Sequence, residues 1–249
     1  MKFKQYLNEG RTKMIDFDTA VDLATKNCKK NIKQTYQSSS GLNIYRGLEE
    51  VINTGYVNTN KGSPRESAYT SNYTTLLVDN LPSWKKYPKR SRGLVCSTDK
   101  SYSEAYGDTF HVIPYDNALI AVAPKEDIFY SFKFMKDSTV RQFNDYLGDA
   151  FDIYQIPNND KDWKIFRKNI IKLSGELIFN KKTRLFDAIF KEDELIMKTL
   201  DKLFDPTKNG FKLGINNLKP QREVWIQGES LLINDQFIDD FLQGYEDEI

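Results

Sequence analysis

A change of apolar period across residues 127–205 constrains the fold more than any other feature of this 249-residue chain. There Phe129, Phe132, Phe143, Leu147, Phe151, Ile165, Ile170, Leu177, Leu185, Ile189 and Leu195 follow the three-to-four-residue spacing of helices packed on a core. Both flanks instead carry short apolar runs bounded by glycine, proline and asparagine, at residues 42–47, 94–98, 110–114, 118–123, 223–227 and 230–234. Strands at both ends around a helical insert predict an α+β fold. Turn residues at 115–117 predict that 110–114 pairs with 118–123, and 223–227 is expected to pair with 230–234 in the same way. Residues 16–36 read as one amphipathic helix with Asp16 as N-cap, and 99–106 as a helix opened by an Asp or Ser cap. The polar stretch 58–80 reads as a long surface loop with at most short structure.

The charge balance names no partner. Lys and Arg number 36 against 35 Asp and Glu, a formal +1, so no global field draws the chain to nucleic acid or an anionic membrane. No apolar run reaches the ~18 residues of a membrane span, so no membrane partner is expected. The two cysteines, Cys28 and Cys96, are too few for a disulfide scaffold and read as buried thiols. The single histidine, His111, would have to serve every Ser-His-Asp, Cys-His or His-metal mechanism alone. It lies in an alternating strand pattern, where a structural or surface role is the expectation.

The first ten residues, Met-Lys-Phe-Lys-Gln-Tyr-Leu-Asn-Glu-Gly, are amphipathic and unlike the rest of the chain. This segment resembles the capsid-targeting leader of internal head proteins in large tailed phages, which ends in a Leu-x-Glu cut by the prohead protease. Leu7-Asn8-Glu9 supplies that tripeptide. The resemblance implies a removable leader at 1–9, a catalytic domain at 10–249, residence in the capsid interior and later delivery to the host bacterial cytoplasm.

Three strand-borne words occur in a fixed order: Ile44-Tyr45-Arg46-Gly47, then Cys96-Ser97-Thr98-Asp99 followed by Ala105-Tyr106-Gly107, then Gln221-Arg222-Glu223-Val224-Trp225-Ile226. That order resembles the R-S-E class of mono-ADP-ribosyltransferases. Residues 81–92, Leu-Pro-Ser-Trp-Lys-Lys-Tyr-Pro-Lys-Arg-Ser-Arg, also resemble a segment of phage proteins that carry the same three words. The family pattern ends its second word in serine, where this chain has Asp99. The resemblance implies an ADP-ribosyltransferase-like split β-sandwich with flanking helices and NAD as the cofactor consumed. It puts Arg46, Gly47, Ser97 and Thr98 at the NAD, with Glu223 and Gln221 catalytic.

Chemistry explains those residue types. Cleaving the nicotinamide–ribose bond passes through an oxocarbenium-like state, so a carboxylate is needed beside the ribose. A guanidinium pairs bidentately with phosphate oxygens and never loses its charge. Small hydroxyls on Ser97 and Thr98 would bond the ribose and brace Glu223. Strand alternation would set Gln221 on the face of Glu223, where it could orient the acceptor. Gln227-Gly228-Glu229 is a rival Gln-x-Glu, placed at a glycine turn. The basic, aromatic segment 84–92 fits NAD-phosphate steering, nucleic-acid contact or a solvated loop. The acceptor is expected to be a host protein or a nucleic acid. Two other readings compete: a non-enzymatic packaged internal head protein, opposed by the near-neutral charge, and a metal nuclease, opposed by the scatter of the acidic residues.

Overall fold

The computed structural model describes residues 12–37, 42–49, 52–61, 63–65, 71–133, 140–180 and 196–249. The leader expected at 1–9 lies outside them. The chain divides into two compact units, one built from residues 1–65, 87–127 and 211–249 and the other from 66–86 and 128–210.

The first unit holds β1 (Thr12–Met14), β2 (Tyr45–Leu48), β3 (Thr54–Asn58), β4 (Leu94–Ser97), β5 (Asp108–Pro114), β6 (Leu119–Val122), β7 (Lys212–Leu213), β8 (Glu223–Gln227) and β9 (Glu229–Asn234). They form one antiparallel sheet in the order β1-β3-β9-β5-β2-β4-β8-β6-β7. Its helices are α1 (Phe17–Asn27), α2 (Lys29–Thr35), α4 (Lys100–Glu104) and α9 (Ile238–Asp247). The mixture of helix with an antiparallel sheet is the α+β class expected.

The two packed sheets expected are continuous with each other, the nine strands being hydrogen-bonded into one. The reason lies at the β2–β4 junction, where a single pair, Tyr45 with Ser97, keeps the halves joined. On either side of it the pairing is full: β2 matches β5 from Tyr45 to Leu48, and β4 matches β8 from Leu94 to Ser97. One hydrophobic cluster draws Val57, Phe110, Val112 and Leu232 from the first half, and Leu94, Cys96, Ile120, Val224 and Ile226 from the second. The sheet therefore closes over a shared core. On the opposite face of β5 and β9, Ile113, Tyr115, Leu231 and Ile233 pack under α1, α2 and α9, as strand alternation requires.

The expected pairs β5–β6 and β8–β9 do not form. β5 pairs with β2 and β9, while β8 pairs with β4 and β6. Each tight connection instead carries the chain from one half of the sheet to the other. Gly228 makes the second crossing at φ +133°, and a Cβ there would come within 3.1 Å of the Ala118 Cα in the first. Turn residues predict a reversal of direction, but not which strand lies alongside.

The single helix expected over 16–36 is two. Asp16 caps α1 by accepting from the Thr19 N–H at 2.8 Å. The chain then breaks at Cys28 because the Asp116 carboxylate takes the N–H groups of Lys30 and Asn31 at 3.1 and 3.0 Å. Those are first-turn donors with no partner inside α2. Both cysteines are buried free thiols, as expected.

Among the described residues the second unit is helical, as the apolar period predicts, with α3 (Tyr73–Asn80), α5 (Val140–Ile153), α6 (Trp163–Asn180), α7 (Ile196–Leu203) and α8 (Pro206–Asn209); Leu185, Ile189 and Leu195 of the expected pattern lie outside them. Tyr73 stacks on Phe166 at 5.3 Å and meets Phe151 edge-on, while the Trp84 indole donates to the Phe204 carbonyl at 2.8 Å. α3 corrects the expectation of a surface loop over 58–80. Its Thr74 is accommodated by Asn144, which accepts from the Thr74 N–H and hydroxyl at 3.2 and 2.7 Å and donates to the Ser71 carbonyl at 3.0 Å. A polar sequence thus lies in a satisfied interior.

Candidate functional site

The three words fall on three neighbouring strands of the first unit. Arg46 is on β2, Ser97 on β4 and Glu223 on β8, and these strands adjoin in that order. Tyr45 is paired with Ser97, and Ser97 with Glu223, so one cross-strand row joins all three strands. Neighbours in such a row share a face. Ser97 and Glu223 are thereby brought together.

Glu223 is 6% exposed. Its N–H donates to the Lys125 carbonyl at 3.0 Å and its carbonyl accepts from the Ala123 N–H at 2.9 Å. The carboxylate Oε1 accepts from the Trp225 indole N–H, two residues along on the same face, and from Arg90 Nε at 3.4 Å. Arg90 also stands over the Trp225 ring, 5.8 Å from its centroid. The pair is a buried ion pair, with side chains 12% and 8% exposed.

Thr98 serves the turn that leads into β8. Its N–H donates to the Arg222 carbonyl at 2.9 Å, its hydroxyl donates to the Lys219 carbonyl at 2.6 Å, and that same oxygen accepts from the Arg222 N–H at 2.9 Å. The Ser97 hydroxyl accepts from the Asp99 N–H at 2.9 Å. Asp99 caps α4 by accepting from the Ser101 N–H at 3.0 Å.

Arg46 neighbours this row without joining it. Adjacent strand residues face opposite ways, so Arg46 turns away from the side of Tyr45 and Ser97. Its guanidinium donates to the Val95 carbonyl across the junction of the two halves. Gly47 has a packing reason for being glycine, since a Cβ there would lie 2.0 Å from the Ser103 carbonyl oxygen of α4. β2 also runs on to Leu48 rather than stopping at that glycine.

Strand alternation does not reach Gln221. β8 begins at Glu223, and Gln221 is an exposed turn residue at φ +53°. The left-handed backbone at 221 rotates its side chain out of the strand's two-residue period, so sharing a face with Glu223 cannot be argued from spacing. In the rival word, Gln227 ends β8 and accepts from the Lys89 N–H at 2.9 Å. Glu229 opens β9 and accepts from the Tyr56 hydroxyl and, at 3.4 Å, from Asn58 Nδ2. Glu229 therefore stands on the other half of the sheet from Ser97.

His111 is buried and fully engaged. Nδ1 lies 2.9 Å from the Tyr36 hydroxyl, Nε2 lies 3.0 Å from Asp235, and the Tyr45 ring stacks edge-on at 4.9 Å. Burial pushes its pKa below the ordinary value, with Asp235 opposing in part. Asp235 is lowered although burial alone would raise it, because Lys100 and His111 hydrogen-bond its carboxylate.

Two site residues escaped the sequence. Trp225 was legible by alternation, two positions from Glu223 on one strand. Arg90 was noted only as part of a basic segment, and nothing in a charge run tells which member turns inward. Among the described residues no group of three His, Cys, Asp or Glu could hold a metal ion, and no helix is long and apolar enough to cross a membrane. No family model, curated protein or solved structure matches the chain.

Proposed function

We propose that the chain is a mono-ADP-ribosyltransferase of the R-S-E class, with a split β-sandwich core, that cleaves NAD and transfers ADP-ribose to a host protein or nucleic acid. The observation that carries this reading is the adjacency of β2, β4 and β8, which gathers three words far apart in sequence onto neighbouring strands. A guanidinium, a hydroxyl and a carboxylate then stand on consecutive strands, the set needed to hold a pyrophosphate, a ribose and a developing positive charge. Arg46, which turns to the other face of β2 from Ser97, must leave the Val95 carbonyl and reach round the β2–β4 junction to grip phosphate. Ser97 bonds the ribose, and Glu223 offsets the charge that builds as nicotinamide leaves.

Incubation of the protein with adenylate-labelled NAD and bacterial lysate tests the reading. Nicotinamide release together with label on a macromolecule is the expected result. Intact NAD with every lysate overturns it. The leader reading is tested separately: mass spectrometry of virion protein is expected to find a chain beginning at Gly10, and a chain still beginning at Met1 overturns it.

A further inference from the structure

We propose that Arg90 is a positioning residue for Glu223: with the Trp225 indole it fixes the orientation of the carboxylate that faces the reacting ribose. The inference rests on the proposed ADP-ribosyl chemistry for its functional meaning, but its geometric content is independent of it. Carboxylate torsions of glutamate are broad when nothing restrains them. Here one oxygen, Oε1, takes both the Trp225 indole N–H and the Arg90 Nε–H, the latter at 3.4 Å. Two donors converging on one oxygen from different elements set both the rotation and the tilt of the group.

Arg90 is itself held. Its guanidinium lies over Trp225 at 5.8 Å, within the ~6 Å reach of a cation–π contact. Its segment is tied down on both sides: the Lys89 N–H donates to Gln227 at 2.9 Å and the Arg65 N–H donates to the Ser91 carbonyl at 2.6 Å. Gly93 lets the segment lie against β8, because a Cβ there would meet the Lys89 carbonyl oxygen at 3.2 Å and that of Ile226 at 3.5 Å. Such anchoring suits a support for a functional carboxylate better than a side chain that swings in solvent.

The test compares wild type with Arg90→Met, which keeps an unbranched apolar side chain but removes the charge and donors, and with Arg90→Lys. Nicotinamide release from NAD is measured alongside the Trp225 indole N–H resonance in a 15N spectrum, assigned with Trp225→Phe. Arg90→Met is expected to lower kcat at least tenfold with KM for NAD within about twofold, and to move the Trp225 indole resonance as Glu223→Gln does. Arg90→Lys is expected to recover part of both. Unchanged kcat, a loss confined to KM, or an unmoved indole resonance in a folded Arg90→Met protein overturns the proposal. If wild type releases no nicotinamide, the ADP-ribosyl reading fails, while the indole resonance still decides whether Arg90 orients Glu223.

Discussion

Thr98 and Arg222 are joined twice, the Thr98 N–H donating to the Arg222 carbonyl and the Arg222 N–H donating to the Thr98 hydroxyl, each at 2.9 Å. The same hydroxyl reaches the Lys219 carbonyl at 2.6 Å, so one side chain closes the turn ahead of Glu223. Thr98 thereby fixes the turn from which Glu223 enters β8.

Thr98→Val keeps the shape and removes both hydroxyl bonds. Leaving a donor and an acceptor without their partner is expected to cost about 1–3 kcal/mol. Thr98→Ser retains the oxygen and is expected to stay near wild type. Urea denaturation of the three proteins provides the comparison, and a Val variant as stable as wild type removes Thr98 from the turn.

The His111 cluster predicts a pH dependence of stability. A histidine whose folded pKa is lowered below its ordinary value of 6.5 favours the neutral ring in the folded state. Its contribution is fully present above pH 6.5 and is lost as pH falls from there towards the lowered folded value. Asp235 is also lowered, so its contribution holds above the ordinary 3.8 and disappears only below it. The urea midpoint is therefore expected to fall between pH 7 and 5, and His111→Gln to flatten that window. An equal slope in the variant would assign the loss to other groups.

Apolar period made the helical unit and most strands readable, because burial writes a 3.6- or two-residue repeat directly into residue order. Pairing was not readable. The connection at 115–117 and the one at Gly228 look like hairpin turns, yet both cross between the halves of the sheet, and that choice is made by long-range packing around Phe110, Val112, Val224 and Ile226. Glu223 could be singled out from its neighbourhood in sequence. Its partner Arg90 could not, since 133 residues separate them. Gln221 failed for a local reason: a left-handed residue interrupts the alternation on which its orientation was argued.

Arg46 carries two separable expectations. As the contact to the Val95 carbonyl at the junction of the halves, its loss should lower stability modestly. As the phosphate grip, its replacement by alanine should weaken NAD binding by roughly 1.5–3 kcal/mol, the worth of a hydrogen bond to a charged group. Lysine should rescue poorly, lacking the bidentate fork. Calorimetric titration of NAD into folded Arg46→Ala decides between them, because unchanged affinity would leave Arg46 with the structural contact alone.

Glu223→Gln is the most decisive substitution. The amide is nearly isosteric, and its oxygen can still accept from the Trp225 indole N–H, so packing around β8 is kept. What is lost is the negative charge opposite the developing oxocarbenium and half of the ion pair with Arg90. Removing one preorganised electrostatic contact typically slows a reaction by roughly a hundred- to a thousand-fold, and nicotinamide release is expected to fall by that much. Glu229→Gln is the matched control: its carboxylate meets Tyr56 and Asn58 on the other half of the sheet, and the variant is expected to retain transfer. The reverse result, with Glu229→Gln inactive and Glu223→Gln active, would move the Gln-x-Glu to residues 227–229 while leaving the reaction class in place. Wild-type rates in both variants would mean that neither carboxylate faces the reacting ribose, and the three neighbouring strands would then have a purely architectural explanation.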